Sequence, residues 1–185
     1  MQETLVLVDE HDNEVGQAEK LSVHQYGELH RAFSIFIFRM NGEKQELLLQ
    51  QRNSNKYHCG NLWTNTCCGH PRVGESVIAA AERRLYEEML FHAKLIRIDS
   101  FYYYAACDNG LIEHELDHVL IGNYQDDIAQ VNAQEVQDFR WITIEEVEQE
   151  LMQFPERFTP WFAKALALIK KHRVEIMVLL HANNH

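Results

Sequence analysis

Basic residues are scarce in this chain: 17 Lys and Arg stand against 28 Asp and Glu, a formal net charge of −11. Neutralising a nucleic-acid backbone or an anionic membrane surface takes a basic face, so neither is expected as a partner. Long apolar runs are also missing. Residues 174–180 are interrupted by Glu175, and no stretch reaches the roughly 20 residues a spanning helix needs. The opening residues, MQETLVLVDEHDNE, carry acids where an export or transit segment would carry Lys or Arg. A soluble, cytoplasmic protein is expected. Four cysteines, at 59, 67, 68 and 107, have no disulfide-framework spacing, which points to reduced thiols. With no repeat, low-complexity linker or composition break, residues 1–185 are expected to form one domain. An anionic small molecule stays admissible in so acidic a chain provided that cations cluster locally.

Runs rich in Val, Ile, Phe and Tyr predict strands over 5–8, 32–38, 46–50, 98–105, 112–124 and 138–141. Asn41-Gly42 and Asp108-Asn109-Gly110 mark turns between neighbouring strands. Strong helix formers fill 75–91 and 144–152, and a last helix is expected from a Thr159 cap with Pro160 in the first turn, through FAKALALIKKH. Strands, hairpins and intervening helices together predict an α/β fold with a mixed sheet between helices.

Chemistry concentrates at residues 64–71, TNTCCGHP, and in the helix that follows. In an extended segment neighbouring side chains point to opposite faces, so one of Cys67 and Cys68 faces the core while the other faces a cleft beside His70. A thiol there is a weak acid suited to proton transfer, whereas Cys59 and Cys107 are expected to be small buried hydrophobes. On the helix, residues four apart stack, which pairs Arg83 with Glu87 and Arg84 with Glu88. Glu113 and Glu115, two apart on a strand, share one face. With His24, His30 and His70 they would suit a borderline divalent ion such as Mn²⁺, Zn²⁺ or Mg²⁺. His114-Glu115-Leu116-Asp117-His118 matches the HExxH of zinc peptidases, but that motif works on a helix. On the strand expected here the two imidazoles lie about 13 Å apart along the axis, too far to share an ion.

Gly69, Glu75, Arg83, Glu87 and Glu88 resemble the Nudix box, a loop and helix that bring a divalent metal to a diphosphate. Two positions depart from it. Arg84 stands where Nudix hydrolases carry a metal-site Glu, and Leu90 replaces a Gly; a cation at 84 would repel Mg²⁺ and attract phosphate. Taken in order, KLSVH, LHRAFS, TNTCCGHP, this helix, EHELDH and FTPW resemble the type 1 isopentenyl-diphosphate isomerases, from about Lys20 to Trp161.

That resemblance implies a Nudix-like fold and a flavin-independent isomerase interconverting isopentenyl and dimethylallyl diphosphate through a tertiary carbocation. It implies Cys68 and Glu115 as the proton-transfer pair, with Tyr104 and Trp161 beside the reacting carbons; Tyr103 is adjacent, and a one-residue shift would exchange the two tyrosines. It implies metal ligation by His24, His30, His70, Glu113 and Glu115, and a substrate-borne Mg²⁺ at Glu88 and the Cys68 backbone. Lys20, Arg52, Lys56 and Arg84 are implied to grip the diphosphate, and they supply the local cationic cluster that the acidic composition demands. A monomer or weak homo-oligomer is expected. The alternatives are a Nudix hydrolase of a nucleoside diphosphate derivative and a non-catalytic Nudix binding module.

Overall fold

The strand HRAFSIFIFRMN, β3 (His30–Asn41), is apolar at most positions because both of its faces are covered, and the rest of the sheet is arranged around it. The structure is a computed structural model that describes residues 3–56, 58–107 and 109–182. Along one edge of β3, β8 (Ile112–Asn123) runs parallel, from His30 opposite Glu115 to Phe38 opposite Asn123. Along the other edge, β6 (Cys67–Gly69) and β4 (Lys44–Arg52) pair antiparallel. Beyond these, β7 (Leu95–Ala106) joins β8, while β9 (Val136–Thr143) and β5 (Trp63–Thr64) join β4. β1 (Thr4–Val8) meets β3 at Leu7 and His30, and β2 (Glu14–Glu19) forms an outer edge against β1.

Alternation along β3 divides the core. Ile35 and Ile37 pack with Leu48 and Leu120 under α2 (Val77–Met89), which presents Ala80, Ala81, Leu85 and Met89. Phe36 and Phe38 pack on the other face with Val119 and Ile121, beneath Phe162, Leu166 and Ile169 of α4 (Phe162–Lys171) and Ile176 and Leu180 of α5 (Arg173–Ala182). Each fully buried Phe of this kind contributes on the order of 2–3 kcal/mol. α3 (Ile144–Gln153) starts in a capping box in which Thr143 and Glu146 satisfy each other's backbone N–H groups.

The mixed α/β sheet between helices is the predicted fold, with several local differences. EVGQAE lacks apolar alternation because β2 is a solvent-facing edge, and the helix behind it, α1 (Lys20–Tyr26), is a short seven-residue segment. Thr159 does not cap the last helix. Its hydroxyl bonds instead to that of Thr64, 2.9 Å away, and α4 begins at Phe162. The chain turns at His172 before α5. Of the turn predicted at 108–110, Asp108 lies outside the described residues, and Gly110 (φ 78°) donates its N–H to the Cys107 carbonyl. Among the described residues no helix is long and apolar enough to cross a membrane.

Two details seat α2. A Cβ on Gly69 would come within 3.0 Å of Phe33 and 3.2 Å of Arg84, so the bare backbone lets the helix approach β6. At the C-terminus Leu90 adopts a left-handed conformation with φ 59°, a place where glycine carries no steric cost. Leu90→Gly is therefore expected to stabilise the fold by about 0.5–1 kcal/mol, raising the thermal midpoint by roughly 2 °C. A lowered midpoint in a calorimetric scan would show that Leu90's side-chain contacts outweigh the backbone strain.

Candidate active site

Glu113, Glu115 and Asp117 alternate along β8 and share one buried face. Each is met by partners from elsewhere in the chain. His70 Nε2 lies 3.0 Å and His30 Nε2 3.5 Å from Glu115 Oε1. His24 Nε2 lies 3.6 Å from Glu113, whose other oxygen is 2.6 Å from His58 Nε2. Ser34 donates to Asp117 Oδ2 at 2.7 Å.

The tautomers of two imidazoles follow from their neighbours. His24 Nδ1 donates to the Lys20 carbonyl at 2.7 Å, and His30 Nδ1 to the Glu28 carbonyl at 2.9 Å. A carbonyl only accepts, so both Nδ1 atoms carry the proton, and in the neutral imidazole each Nε2 turns a lone pair inward. Ligand atoms of His24, His30, His70 and Glu115 all lie within 4.8 Å of one another. Backbone-fixed imidazoles converging with a carboxylate fit a divalent cation. Burial, with His30 and Lys20 nearby, pushes His70 well below the usual imidazole range, so it is a neutral donor. Burial and the neighbouring Glu113 raise Glu115, whereas for Glu113 the bonds from His24 and His58 overcome burial and hold it well below the carboxylate range. Glu113 stands beside the four-residue group, oriented by His58, which sequence reasoning had passed over.

One cavity of about 1090 Å³ collects most of the expected residues: Lys20, Arg52, Lys56 and Arg84 line it together with Cys68, His70, Glu88, Glu113, Glu115 and Trp161. Three of the four cations are held by carboxylates. Lys20 pairs with Glu3 at 2.7 Å, and Arg84 with Glu87 at 2.7 Å, with Glu88, and with Glu135 at 3.5 Å. Lys56 also bonds Glu135 and lies 3.8 Å from Glu88. Arg52 stacks over Trp161, 5.5 Å from the ring centre. Both expected helix pairs form, Arg83 with Glu87 and Arg84 with Glu88; Arg83 also makes two 2.8 Å bonds to Glu75 and so braces the loop before α2. Gln50 donates to Glu88 at 2.8 Å, fixing that carboxylate from β4.

The two adjacent thiols part as an extended segment requires. Cys67 is buried in the core under α2, and Cys68 faces the cavity. Burial and the Asp117 charge push the Cys68 thiol up to about 12, so it is protonated at neutral pH. It donates to Asn65 Oδ1 at 3.3 Å and lies 3.8 Å from the Ser34 hydroxyl.

The tyrosine expectation needs correction. Tyr104 is 60% exposed and pairs in register with His114, on the face turned away from the carboxylates. Tyr103 pairs with Glu115, is 2% exposed, and packs edge-on against Trp161 at 6.0 Å. Its buried hydroxyl has no hydrogen-bond partner among the described residues. Alternation also disposes of the peptidase motif: His114 bonds the Gly27 carbonyl and His118 pairs with Asp12, both away from the Glu115 face. Asp117, Ser34 and Glu135 were likewise missed; only Asp117 carried a signal, its two-residue spacing from Glu115.

The sheet, the loop after Gly69 and the glutamate-bearing α2 define the class. A model of the NUDIX domain matches residues 28–162, and the chain is a member of that family. Solved structures agree on the fold: DR0079 of Deinococcus radiodurans superposes with a TM-score of 0.72 at 18% identity, over 89% of this chain and 98% of that one. A Nudix hydrolase of M. smegmatis, RenU, gives 0.60 at 18% identity, over 93% and 95%. Sequence relatives are more specific. The isopentenyl-diphosphate Delta-isomerase 2 of Photorhabdus laumondii is 50% identical over 90% of this chain and 92% of its own length. The isopentenyl-diphosphate Delta-isomerase of Serratia proteamaculans is 48% identical over 99% of this chain and all of its own. The chain belongs to the isopentenyl-diphosphate Delta-isomerase family.

The donor cluster generates a direct expectation. Zn²⁺ or Mn²⁺ at about 100 times its dissociation constant should stabilise the metal-stripped protein by about 2.7 kcal/mol, roughly 5–10 °C in thermal midpoint. His30→Ala should remove most of that rise. An equal rise in the variant would place the binding elsewhere.

Proposed function

We propose that this protein interconverts isopentenyl and dimethylallyl diphosphate by proton transfer, with Cys68 and Glu115 working from opposite sides of the alkene. The observation that carries this reading is their placement: β6 and β8 flank β3 on opposite edges, and both side chains open into the same cavity. Moving the double bond adds a proton to the terminal carbon and removes one from the carbon on the other side of a tertiary cation. Two groups are therefore required, and each reverses its role with direction. In the direction of dimethylallyl diphosphate the Cys68 S–H bond breaks as the new C–H bond forms, and Glu115 receives the departing proton.

Tyr103, in place of Tyr104, and Trp161 wall the hydrocarbon end. The indole face steadies the cation by about 0.5–2 kcal/mol, and the aromatic pair keeps water from adding to it. Lys20, Arg52, Lys56 and Arg84 bind the diphosphate and anchor the reacting carbons between acid and base. His24, His30, His70 and Glu115 would hold a divalent ion with Glu113 beside them, and Glu88 a Mg²⁺ that accompanies the diphosphate. A bound ion supplies Lewis-acid polarisation and fixes the carboxylate that exchanges the proton. The hydrolase reading is disfavoured by Arg84, whose guanidinium lies between Glu87 and Glu88.

Purified protein with Mg²⁺ should interconvert the two diphosphates and incorporate deuterium from D₂O. Absence of both, or release of monophosphate from a nucleoside diphosphate derivative, would overturn the reading. Cys68→Ala should lower turnover about 10²–10⁴-fold, whereas Cys67→Ala, changed on the core side, should stay within about tenfold of wild type. For the tyrosines, Tyr103→Phe should lower kcat at least about tenfold and Tyr104→Phe should leave it within about twofold; the opposite ranking in steady-state assays would restore Tyr104.

A further inference from the structure

Asn65 sits in the middle of TNTCCGHP, fully buried, and is not among the residues lining the cavity. Its Nδ2 donates to two backbone carbonyls, that of Ile35 on β3 at 3.1 Å and that of Cys67 at 2.8 Å. Carbonyls only accept, so the amide has one orientation and its oxygen points away from the strand. Onto that oxygen converge the Cys68 thiol at 3.3 Å, the Trp161 indole N–H at 3.3 Å and the Thr64 hydroxyl at 2.9 Å. The Thr64 hydroxyl has a second partner in Thr159, 2.9 Å away. The indole and the thiol are the two donors that also belong to cavity-lining groups. An indole N–H can only donate and, once buried, needs an acceptor, which sets the tilt of the ring. A thiol hydrogen rotates about the C–S bond until an acceptor fixes it.

We propose that Asn65 is a positioning residue for the isomerisation: its single amide oxygen holds the Cys68 S–H and the Trp161 ring in one frame tied to β3. The inference rests on the roles given above to Cys68 and Trp161 and adds a residue that does not itself line the cavity. Acid and aromatic wall come from segments 93 positions apart in the chain, and both hydrogen-bond to this one oxygen. A displacement of about 1 Å between acid and alkene lowers a rate by about 10²-fold, so a residue that only aligns the two has a large effect on turnover. Lys20, Lys56 and Arg84 stand on other elements away from Trp161, and of the four diphosphate cations the change reaches Arg52, over the indole ring, so KM is expected to move little.

The test compares the full-length metal-loaded protein with Asn65→Leu, Asn65→Asp and Thr66→Val. Thr66 is the control, equally buried next door, its hydroxyl donating to the Leu48 carbonyl at 2.7 Å and accepting from Ile37 N–H at 2.9 Å, outside the cavity. Asn65→Leu is expected to lower kcat about 100-fold with KM for isopentenyl diphosphate within about twofold. Its Trp161 indole ¹H–¹⁵N resonance, assigned with Trp161→Phe, should move upfield as the hydrogen bond is lost. Asn65→Asp keeps an accepting oxygen but sets its second oxygen against the Ile35 and Cys67 carbonyls, which need a donor, and should stay at least about tenfold below wild type in kcat. Thr66→Val should keep kcat within about twofold of wild type. Wild-type kcat in a folded Asn65→Leu, an equal loss in Thr66→Val, a KM that rises in step with the lost kcat, or an unmoved indole resonance would each overturn the proposal. Should Asn65→Leu fail to fold, Asn65→Ser, too short to reach the indole, takes its place with the same outcomes. The indole readout does not depend on turnover, so an inactive wild type would count against the isomerase reading and leave the positioning claim to the resonance.

Discussion

Three acidic side chains on one buried face of β8, Glu113, Glu115 and Asp117, set the terms for the rest of the structure. None is more than 9% exposed. A carboxylate taken out of water without a partner costs several kcal/mol, so each needs donors close by. Polar partners come from widely separated segments: His24 from α1, His30 and Ser34 from β3, His58 from the loop after β4, and His70 from just beyond β6. Parallel pairing of β3 with β8 puts His30 directly opposite Glu115, and antiparallel pairing of β3 with β6 puts Ser34 opposite Cys68. The same registers that bury the acids thus assemble the imidazole cluster and seat the thiol beside it. Stability and site geometry are one constraint here, since a slip of a single residue would turn the acids to the opposite face.

The cavity has two chemically different ends, and the division follows from which elements reach it. At one end α2 and the loop after β4 bring charged side chains, Arg84, Glu88 and Lys56, in mutual pairs. Elsewhere Trp161, just before α4, lines it, with Arg52 over its ring and Tyr103 of β7 packed edge-on behind, 6.0 Å away. A ligand with an anionic head and a short branched hydrocarbon tail matches this polarity end for end. A nucleoside diphosphate would have to place a polar base or sugar against the aromatic pair.

Much of this was legible in local pattern. The β-branched and aromatic runs of β3, β4, β7 and β8 and the alanine- and glutamate-rich α2 announce themselves, because each buries a face with the period of its own structure. The edge strand β2 does not, since a strand exposed to water needs no apolar alternation. Which of two adjacent tyrosines faces the site is a question of register, Tyr103 to Glu115, and no property of the sequence YYY can decide it. Choosing His24, His30 and His70 among 11 histidines required the family resemblance. His58 and Glu135 escaped even that, because their roles come from a cross-chain contact with Glu113 and with Arg84 and Lys56. Asn65 sat in plain view inside the most informative motif, but an amide's role depends on which atoms its oxygen meets.

Arg84 shows how one substitution redirects an inherited helix. Its guanidinium, 20% exposed, reaches Glu87, Glu88 and Glu135, and Lys56 shares two of those acids. Arg84 and Lys56 are both already engaged by carboxylates, and Glu87 is shared with Arg83, so a bare diphosphate meets no unengaged charge on either. A diphosphate must also compete with those carboxylates for the same two cations, and it would leave them facing its own oxygens. The repulsion is relieved when a divalent cation enters together with the diphosphate and takes up the carboxylates that Arg84 and Lys56 release. Gln50 holds Glu88 in place from β4, so that carboxylate stays oriented when its guanidinium partner turns to phosphate. On this electrostatic argument metal and diphosphate bind as a unit at α2. A carboxylate at position 84 would add another negative charge and recruit more metal, whereas in the proposed reaction the arginine limits the metal and offers its guanidinium to the phosphate.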